Sequence, residues 1–308
     1  MSTWTTHDIP PQSGKIALVT GATGGLGYET ALALADAGAD VILAGRNQDK
    51  GRAALQAIRT AIPSARLHWQ TLDLASLASV SDFSKRIAEK FPRVDTLVNN
   101  AGVMALPKRK TTSDGFEMQF GTNYLGHFAL TAHLLPLLRA SDSARVVSLA
   151  SLVHRQGRID FGDLQGERLY KPWKAYSQSK LAMLMFALEL QRRSDANGWE
   201  LKSTAAHPGW ARTELMANGP NSEARRVVMN ALSAVFQPWL SQSAAAGALP
   251  TLFAASSLAA TNAGYYGPDG FNELKGAPAP AKISERASDT GVAKRLWEIS
   301  EQLTSTRF

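Results

Sequence analysis

Residues 20–27 read Thr-Gly-Ala-Thr-Gly-Gly-Leu-Gly, between the apolar run "KIALV" (15–19) and a helical pattern. Gly21, Gly25 and Gly27 permit positive φ and let backbone approach a ligand. A helix that starts there offers free N–H groups and the positive end of its dipole. That combination suits a pyrophosphate; a tight turn with close helix packing is the other reading of this stretch alone. No Lys-Ser/Thr pair follows the last glycine, so it is not a P-loop. The next informative position lies about 20 residues on, at the end of the second strand. An acid there would favour a free ribose 2′-OH. This chain has Gly45-Arg46 instead, and a guanidinium suits a 2′-phosphate by charge and bidentate geometry. A solvated strand-end arginine is the alternative; with the glycine loop, Arg46 favours NADP(H) over NAD(H).

Two Tyr-x-x-x-Lys spacings occur, Tyr170/Lys174 and Tyr176/Lys180. Acid–base chemistry by such a pair needs both side chains on one helical face. Pro172 disfavours helix within the first pair, which is assigned to a surface loop. The second pair runs into "LAMLMFALEL", a strong helix former. A free tyrosine, with a pKa of about 10, is a poor acid or base at neutral pH. A neighbouring ammonium lowers that pKa, so Tyr176 and Lys180 are the candidate proton-transfer pair.

Bulk properties narrow the function classes. The 308 residues are 44% hydrophobic and 19% charged, an ordinary soluble globular composition. The net charge is +7, from 33 basic and 26 acidic residues. The cations are spread along the chain, with short clusters only at 108–110 and Arg225-Arg226. Nucleic acid is therefore not the expected partner; a small anionic ligand is. With no cysteine, disulfides, thiolate catalysis and Cys-ligated zinc are excluded, and no metal site is expected. The N-terminal segment has no apolar stretch of signal-peptide type, and no run approaches the ~18 apolar residues of a membrane span. The expected location is cytoplasmic.

Strand-like runs alternate with helical patterns: strands at 15–21, 40–46, 66–74, 94–102, 144–151 and 200–209, and helices at 25–38, 48–62, 76–90, 114–139 and 173–195. A helix at 243–256, a short strand at "AGYYG" and a helix at 288–304 follow. "KGAPAPAK" (275–282) is expected to be a surface loop. The alternation predicts an α/β fold with a doubly wound parallel sheet (Rossmann). The chain reads as a single domain over 1–308, with a core of about 14–270 and a tail, 271–308, folded back on it.

Three further stretches complete a known pattern: "NNAG" (99–102) after the fourth strand, "SLAS" (148–151) after the fifth, and "YSQSK" (176–180) opening the long helix. With the glycine loop, this set resembles the short-chain dehydrogenase/reductase family over about 10–215. The resemblance implies Ser151, Tyr176 and Lys180 as catalytic residues, with Asn123 anchoring a water that joins Lys180 to solvent. Ser151 would polarise the substrate oxygen. Lys180 would lower the Tyr176 pKa and hold the nicotinamide ribose. Cofactor contacts are implied at Thr20, Gly21, Thr23, Gly25, Leu26 and Gly27, at Asp73 and Leu74 by the adenine, and at Asn99, Ala101 and Gly102. Pro208, Gly209 and Thr213 would frame the nicotinamide. The long Ser151–Tyr176 connection, "AGRN", "TNYLGHFALT" and "GYYGPDGFNELKG" resemble the retinol dehydrogenase-like branch. That branch is largely NADP(H)-dependent and acts on apolar carbonyls and alcohols. The family often forms homodimers or homotetramers through the helices at 114–139 and 173–195.

Position suggests Met104, Val153, His154, Trp173, Trp210, Leu215 and Met216 as an apolar substrate wall. His154 is expected to be a pocket wall or a hydrogen-bonded core residue rather than a base, and 158–172 and 214–240 are candidate lids that could close over the ligand. The leading expectation is an NADP(H)-dependent carbonyl reductase or alcohol dehydrogenase. The alternatives are an NADPH-dependent C=C reductase and a non-catalytic NADP(H)-binding sensor.

Overall fold

The computed structural model describes residues 3–210 and 242–308. Eight strands form one sheet in the order β3-β2-β1-β4-β5-β6-β7-β8. They are β1 (Ile16–Thr20), β2 (Asp40–Gly45), β3 (Arg66–Thr71), β4 (Thr96–Asn99), β5 (Arg145–Leu149), β6 (Lys202–Ala206), β7 (Tyr265–Pro268) and β8 (Pro278–Pro280). The first seven pair in parallel and β8 runs antiparallel to β7. β1 and β4 are buried along their whole length, as continuous apolar strands covered on both faces must be. The order reverses between β1 and β4, so a crevice opens where the chain leaves these strands.

Helices α1 (Gly25–Asp36), α2 (Gln48–Ala61), α3 (Leu77–Lys90), α5 (Gly126–Arg139) and α6 (Pro172–Asn197) cover the sheet, with α7 (Ala244–Ser256) packed against α1. The short α4 (Met118–Phe120) and a π-helical turn, Gly121–Leu125, lead into α5. A short α8 (Glu285–Ser288) precedes α9 (Thr290–Thr304). Side chains cap α2, α3, α7 and α9: Asn47, Ser76, Ser243 and Asp289 each accept a first-turn N–H. α1 begins behind Gly24, which has no side chain to do so, and its first-turn N–H groups keep that capacity for a ligand.

α6 carries the candidate Tyr-Lys pair and is held from both sides. One face lies on β5 and β6. On the other, Trp297 of α9 stacks on Phe186, with ring centroids 5.6 Å apart, and Phe308 packs on Trp297 at 4.4 Å. Among the described residues, no helix is long and apolar enough to cross a membrane.

Three elements depart from the expectations. Pro278–Pro280, expected in a loop, form the edge strand β8. Proline is tolerated there because an edge strand needs N–H groups on one side only. The helix expected from 114 starts at Met118, because Thr111–Glu117 close a bridge and the Glu117 carboxylate caps the Phe120 N–H at 2.7 Å. Tyr170 lies in the loop before α6, as expected and partly buried, but Lys174 does not. Pro172 is the first residue of α6, so Lys174 is helical and pairs with Asp160 at 2.9 Å. The Tyr170 hydroxyl donates to the Leu106 carbonyl at 2.7 Å.

Candidate active site

The crevice holds a cavity of about 760 Å³. At one end β1 stops at Thr20 and the chain turns through Gly21 (φ +67°) and Gly25 (φ +53°). A Cβ on Gly21 would lie 2.9 Å from the Ala101 Cα, and one on Gly27 would overlap Gly21 O and Asn100 Nδ2. These positions leave no room for a side chain, and the open N-terminus of α1 faces the same cavity. The cradle fits a pyrophosphate. Thr20, Gly21, Thr23, Gly25, Leu26, Gly27, Asp73, Leu74, Ala101 and Gly102 all line the cavity.

Arg46 lines it beside Asn47 and Lys50 of α2. The indole of Trp69 supports this corner: it fills the space where Gly45 and Gly51 would carry a Cβ. Two cations and a helix N-terminus thus stand at the end of β2, an arrangement that fits a phosphate monoester. Lys50 was missed from sequence; it lies one turn beyond Arg46 and could have been found by asking which α2 residues return to the strand end.

At the other end, β5 delivers Ser151 and α6 delivers Tyr176 and Lys180, and all three line the cavity. Tyr176 is 7% and Lys180 6% exposed. Lys180 Nζ donates to the Leu149 carbonyl at 2.8 Å and lies 5.9 Å from the centroid of the Tyr176 ring. Burial pushes the Tyr176 hydroxyl up to about 12, against a hydrogen bond from Ser151 that lowers it. Burial brings the Lys180 ammonium down to about 8. Both groups are thus moved toward their neutral forms.

Asn123 sits in the π-helical turn behind Lys180, not on the cavity surface. Its Oδ1 accepts the Val103 N–H at 2.7 Å, and its Nδ2 donates to Val103 O and Ser179 Oγ, both at 2.9 Å. Both amide protons are spent, so only its oxygens retain capacity for a water. His127, one turn on, was missed from sequence. Its Nδ1 donates to the Asn123 carbonyl at 2.9 Å, which leaves Nε2 to accept from Thr20 Oγ1 at 2.9 Å. Thr20 Oγ1 in turn accepts the N–H groups of Asn100 and Ala101 at 2.9 and 3.0 Å. A buried chain of hydrogen bonds therefore runs from the glycine loop to the turn behind α6.

Other expected residues fall elsewhere. Asn99 does not line the cavity; its Nδ2 donates to Thr131 Oγ1 at 3.1 Å. Its neighbour Asn100 lines the cavity and donates to Thr20 O at 2.7 Å. In a strand, successive side chains take opposite faces, which separates the two. His154 does not line the cavity; of its two expected places it takes the core one, fully buried, with Nδ1 donating to the Ser151 carbonyl at 2.7 Å. No residue of 158–172 lines the cavity. The segment is pinned by Asp160 N to Gln178 Oε1, 2.9 Å, and by Tyr170 to Leu106. Pro208 and Gly209 line the cavity, as do Met104, Val153, Trp173 and Trp210. Leu274 joins them from the β7–β8 connection. Thr213, Leu215, Met216, Arg225, Arg226 and the expected 214–240 lid lie outside the described residues. Among the described residues no group of three His, Asp or Glu side chains could hold a metal ion.

A doubly wound sheet with a glycine cradle and a Ser-Tyr-Lys cluster in one crevice defines a dinucleotide-dependent oxidoreductase class. The chain belongs to the short chain dehydrogenase family, whose model matches residues 15–224. Human retinol dehydrogenase 13 is 44% identical over 294 residues, covering 94% of this chain and 84% of that protein. Mouse polyprenol dehydrogenase is 48% identical over 211 residues, 67% of this chain and 63% of that protein. A solved uncharacterized protein from Mycobacterium paratuberculosis matches with TM-score 0.82 and 40% identity, over 100% of this chain and 99% of that one. A short chain dehydrogenase from Shigella flexneri, complexed with NADP, matches with TM-score 0.63 and 27% identity, over 84% and 97% of the two chains. Within the family the chain is retinol dehydrogenase-like.

Proposed function

We propose that the protein is an NADP(H)-dependent carbonyl reductase or alcohol dehydrogenase for an apolar substrate, with Tyr176 as general acid/base. The observation that carries this reading is that Ser151, Tyr176 and Lys180 meet in the cavity that also holds the glycine cradle, Arg46 and Lys50. Bound nicotinamide would supply the hydride acceptor or donor. Thr20–Gly27 and the α1 N-terminus would hold the pyrophosphate, and Arg46 with Lys50 the 2′-phosphate. Asp73 would stand by the adenine, with one carboxylate oxygen already accepting the Ala75 N–H at 3.0 Å.

The Ser151 hydroxyl would donate to the substrate oxygen and hold it beside Tyr176, which gives it a proton in reduction and takes one in oxidation. Lys180 keeps positive charge near the Tyr176 ring, and so stabilises the phenolate that forms when the proton leaves. Met104, Val153, Trp173, Trp210 and Leu274 supply apolar walls, which favour an apolar carbonyl over a sugar or hydroxy acid. The relatives named for retinol and polyprenol support the same substrate class.

The test follows absorbance at 340 nm with NADPH, and separately NADH, across long-chain and aromatic aldehydes and ketones. NADPH-dependent turnover lost in Tyr176→Phe is expected. NADPH binding without turnover of any carbonyl would favour a sensor, and turnover of activated alkenes alone a C=C reductase.

A further inference from the structure

Asn272 (φ 50°, ψ 27°) and Glu273 (φ 58°) stand consecutively in the left-handed region. Asparagine tolerates that conformation; a glutamate there carries a steric cost that only its surroundings can sustain. The surroundings are a carboxylate clamp. Glu273 Oε2 pairs with Arg155 Nη2 at 2.7 Å and accepts from His207 Nε2 at 2.9 Å, while Oε1 accepts the Lys282 N–H at 3.2 Å. The His207 tautomer follows from its other nitrogen, which accepts the Gly209 N–H at 3.1 Å. His207 is fully buried, and a Cβ on Gly267 would overlap its ring. Burial alone would raise the Glu273 carboxyl, but the bonds from His207, Lys282 and Arg155 bring it down to about 2.

The clamp joins three connections. Arg155 lies on the turn after Ser151, His207 on the exit of β6, and Glu273 between β7 and β8. The next residue, Leu274, lines the cavity. Its carbonyl accepts the Trp210 N–H at 2.8 Å. It also presses on Gly209 (φ +60°), where a Cβ would overlap it. Trp210 lines the same cavity. Were the turn alone required, glycine would adopt it without strain; the carboxylate is the feature glycine lacks.

We infer that Glu273 is a positioning residue for substrate specificity: clamped between Arg155 and His207, it fixes Leu274 and Trp210 as one apolar wall of the cavity. This rests on the carbonyl reductase reading above. The clamp selects which carbonyl compounds fit, while the phosphates that anchor the cofactor belong to the cradle and the Arg46 corner at the other end.

The experiment uses the full chain and compares wild type, Glu273→Gly, Glu273→Gln and Leu274→Ala. Kinetics are measured with NADPH and straight-chain aldehydes of increasing length, NADPH affinity by its fluorescence, and backbone exposure by hydrogen–deuterium exchange. Glu273→Gly is expected to raise KM for the longest aldehydes about tenfold or more, with a much smaller change in kcat and NADPH affinity within about twofold. Leu274→Ala is expected to reproduce the KM shift. Glu273→Gln, which still accepts from His207, is expected to fall between. The Trp210 amide is expected to exchange faster in Glu273→Gly. An unchanged length profile in both Glu273→Gly and Leu274→Ala overturns the inference. So does a loss spread equally over KM, kcat and NADPH affinity, which would mark Glu273 as scaffold only. If wild type reduces no carbonyl, the functional reading fails separately; unchanged Trp210 exchange in Glu273→Gly then overturns the clamp.

Discussion

Lys180 Nζ donates to the carbonyl of Leu149, the last residue of β5, at 2.8 Å. The ammonium that is to serve Tyr176 is thus tethered to the strand that delivers Ser151, and α6 is locked to β5 two residues before that serine. One hydrogen bond does not offset the loss of water around a buried ammonium, so its pKa falls to about 8. The folded pKa lies below the unfolded one, so the proton is held more tightly by the unfolded chain. Lys180 therefore destabilises the cofactor-free protein below about pH 8, and the cost fades as pH rises toward the unfolded value of about 10.4. Lys180→Met is expected to stabilise the cofactor-free protein at pH 7, by up to about 3 kcal/mol, while abolishing most turnover. Urea unfolding at pH 7 and pH 10, with the difference shrinking at pH 10, checks it.

Tyr176 and Lys180 differ in what their loss removes. Tyr176→Phe keeps the ring that packs beside Trp173, at a centroid distance of 6.0 Å, and removes only the hydroxyl. It is expected to lower kcat by about 10²–10⁴ with NADPH affinity little changed. Stopped-flow measurement of hydride transfer, with fluorescence titration of NADPH alongside, separates the two effects. A comparable loss of NADPH affinity would assign Tyr176 a binding role.

Arg46 and Lys50 border the same corner of the cavity at the end of β2. If they hold the 2′-phosphate, removing either charge acts on NADPH and spares NADH. A charge-assisted hydrogen bond is worth roughly 1.5–3 kcal/mol, so Arg46→Ala is expected to raise KM for NADPH about 10- to 100-fold. The change for NADH is expected to stay below about threefold. Lys50→Ala is expected to act in the same direction and less strongly, since an ammonium cannot bind bidentately. Paired steady-state assays with both cofactors decide it. Equal effects on NADH and NADPH would place both cations outside the 2′ site.

The alternation of apolar strands and amphipathic helices was legible because each strand carries its own burial pattern and each helix its own stop. Pro63 ends one pattern and Gly38 another. The cradle was legible for a local reason too: Gly21 and Gly27 leave no room for any other residue. What escaped depends on contacts distant in sequence. Nothing near His127 announces that Thr20, 107 positions away, completes its hydrogen bonding. Asn99 and Asn100 are indistinguishable until the phase of β4 is known. β8 escaped because proline-rich segments score against strand, and only pairing with Tyr266–Pro268 makes one. The Glu273 clamp joins three loops, and its one local trace, a glutamate at positive φ, is invisible in a sequence.

His127 and His154 are two of the groups through which acid should act on the fold. Burial brings each down to about 4, although hydrogen bonding to the Asn123 and Ser151 carbonyls opposes the shift. Both are neutral in the native state at pH 5, where an unfolded chain, with histidine pKa values near 6.5, is largely protonated. The unfolded state thus binds more protons between about pH 6.5 and 4, and stability falls as pH falls through that window. Each residue contributes up to about 3 kcal/mol of this loss by pH 4. His127→Asn, which cannot titrate, is expected to be less stable than wild type at pH 7.5, because the bonds to Thr20 and Asn123 go. It is also expected to lose less stability on going to pH 5. Chemical denaturation of both proteins at the two pH values reads this as a shrinking gap. A gap of constant size would mean that His127 does not govern the acid response and that other groups, His154 first among them, carry it.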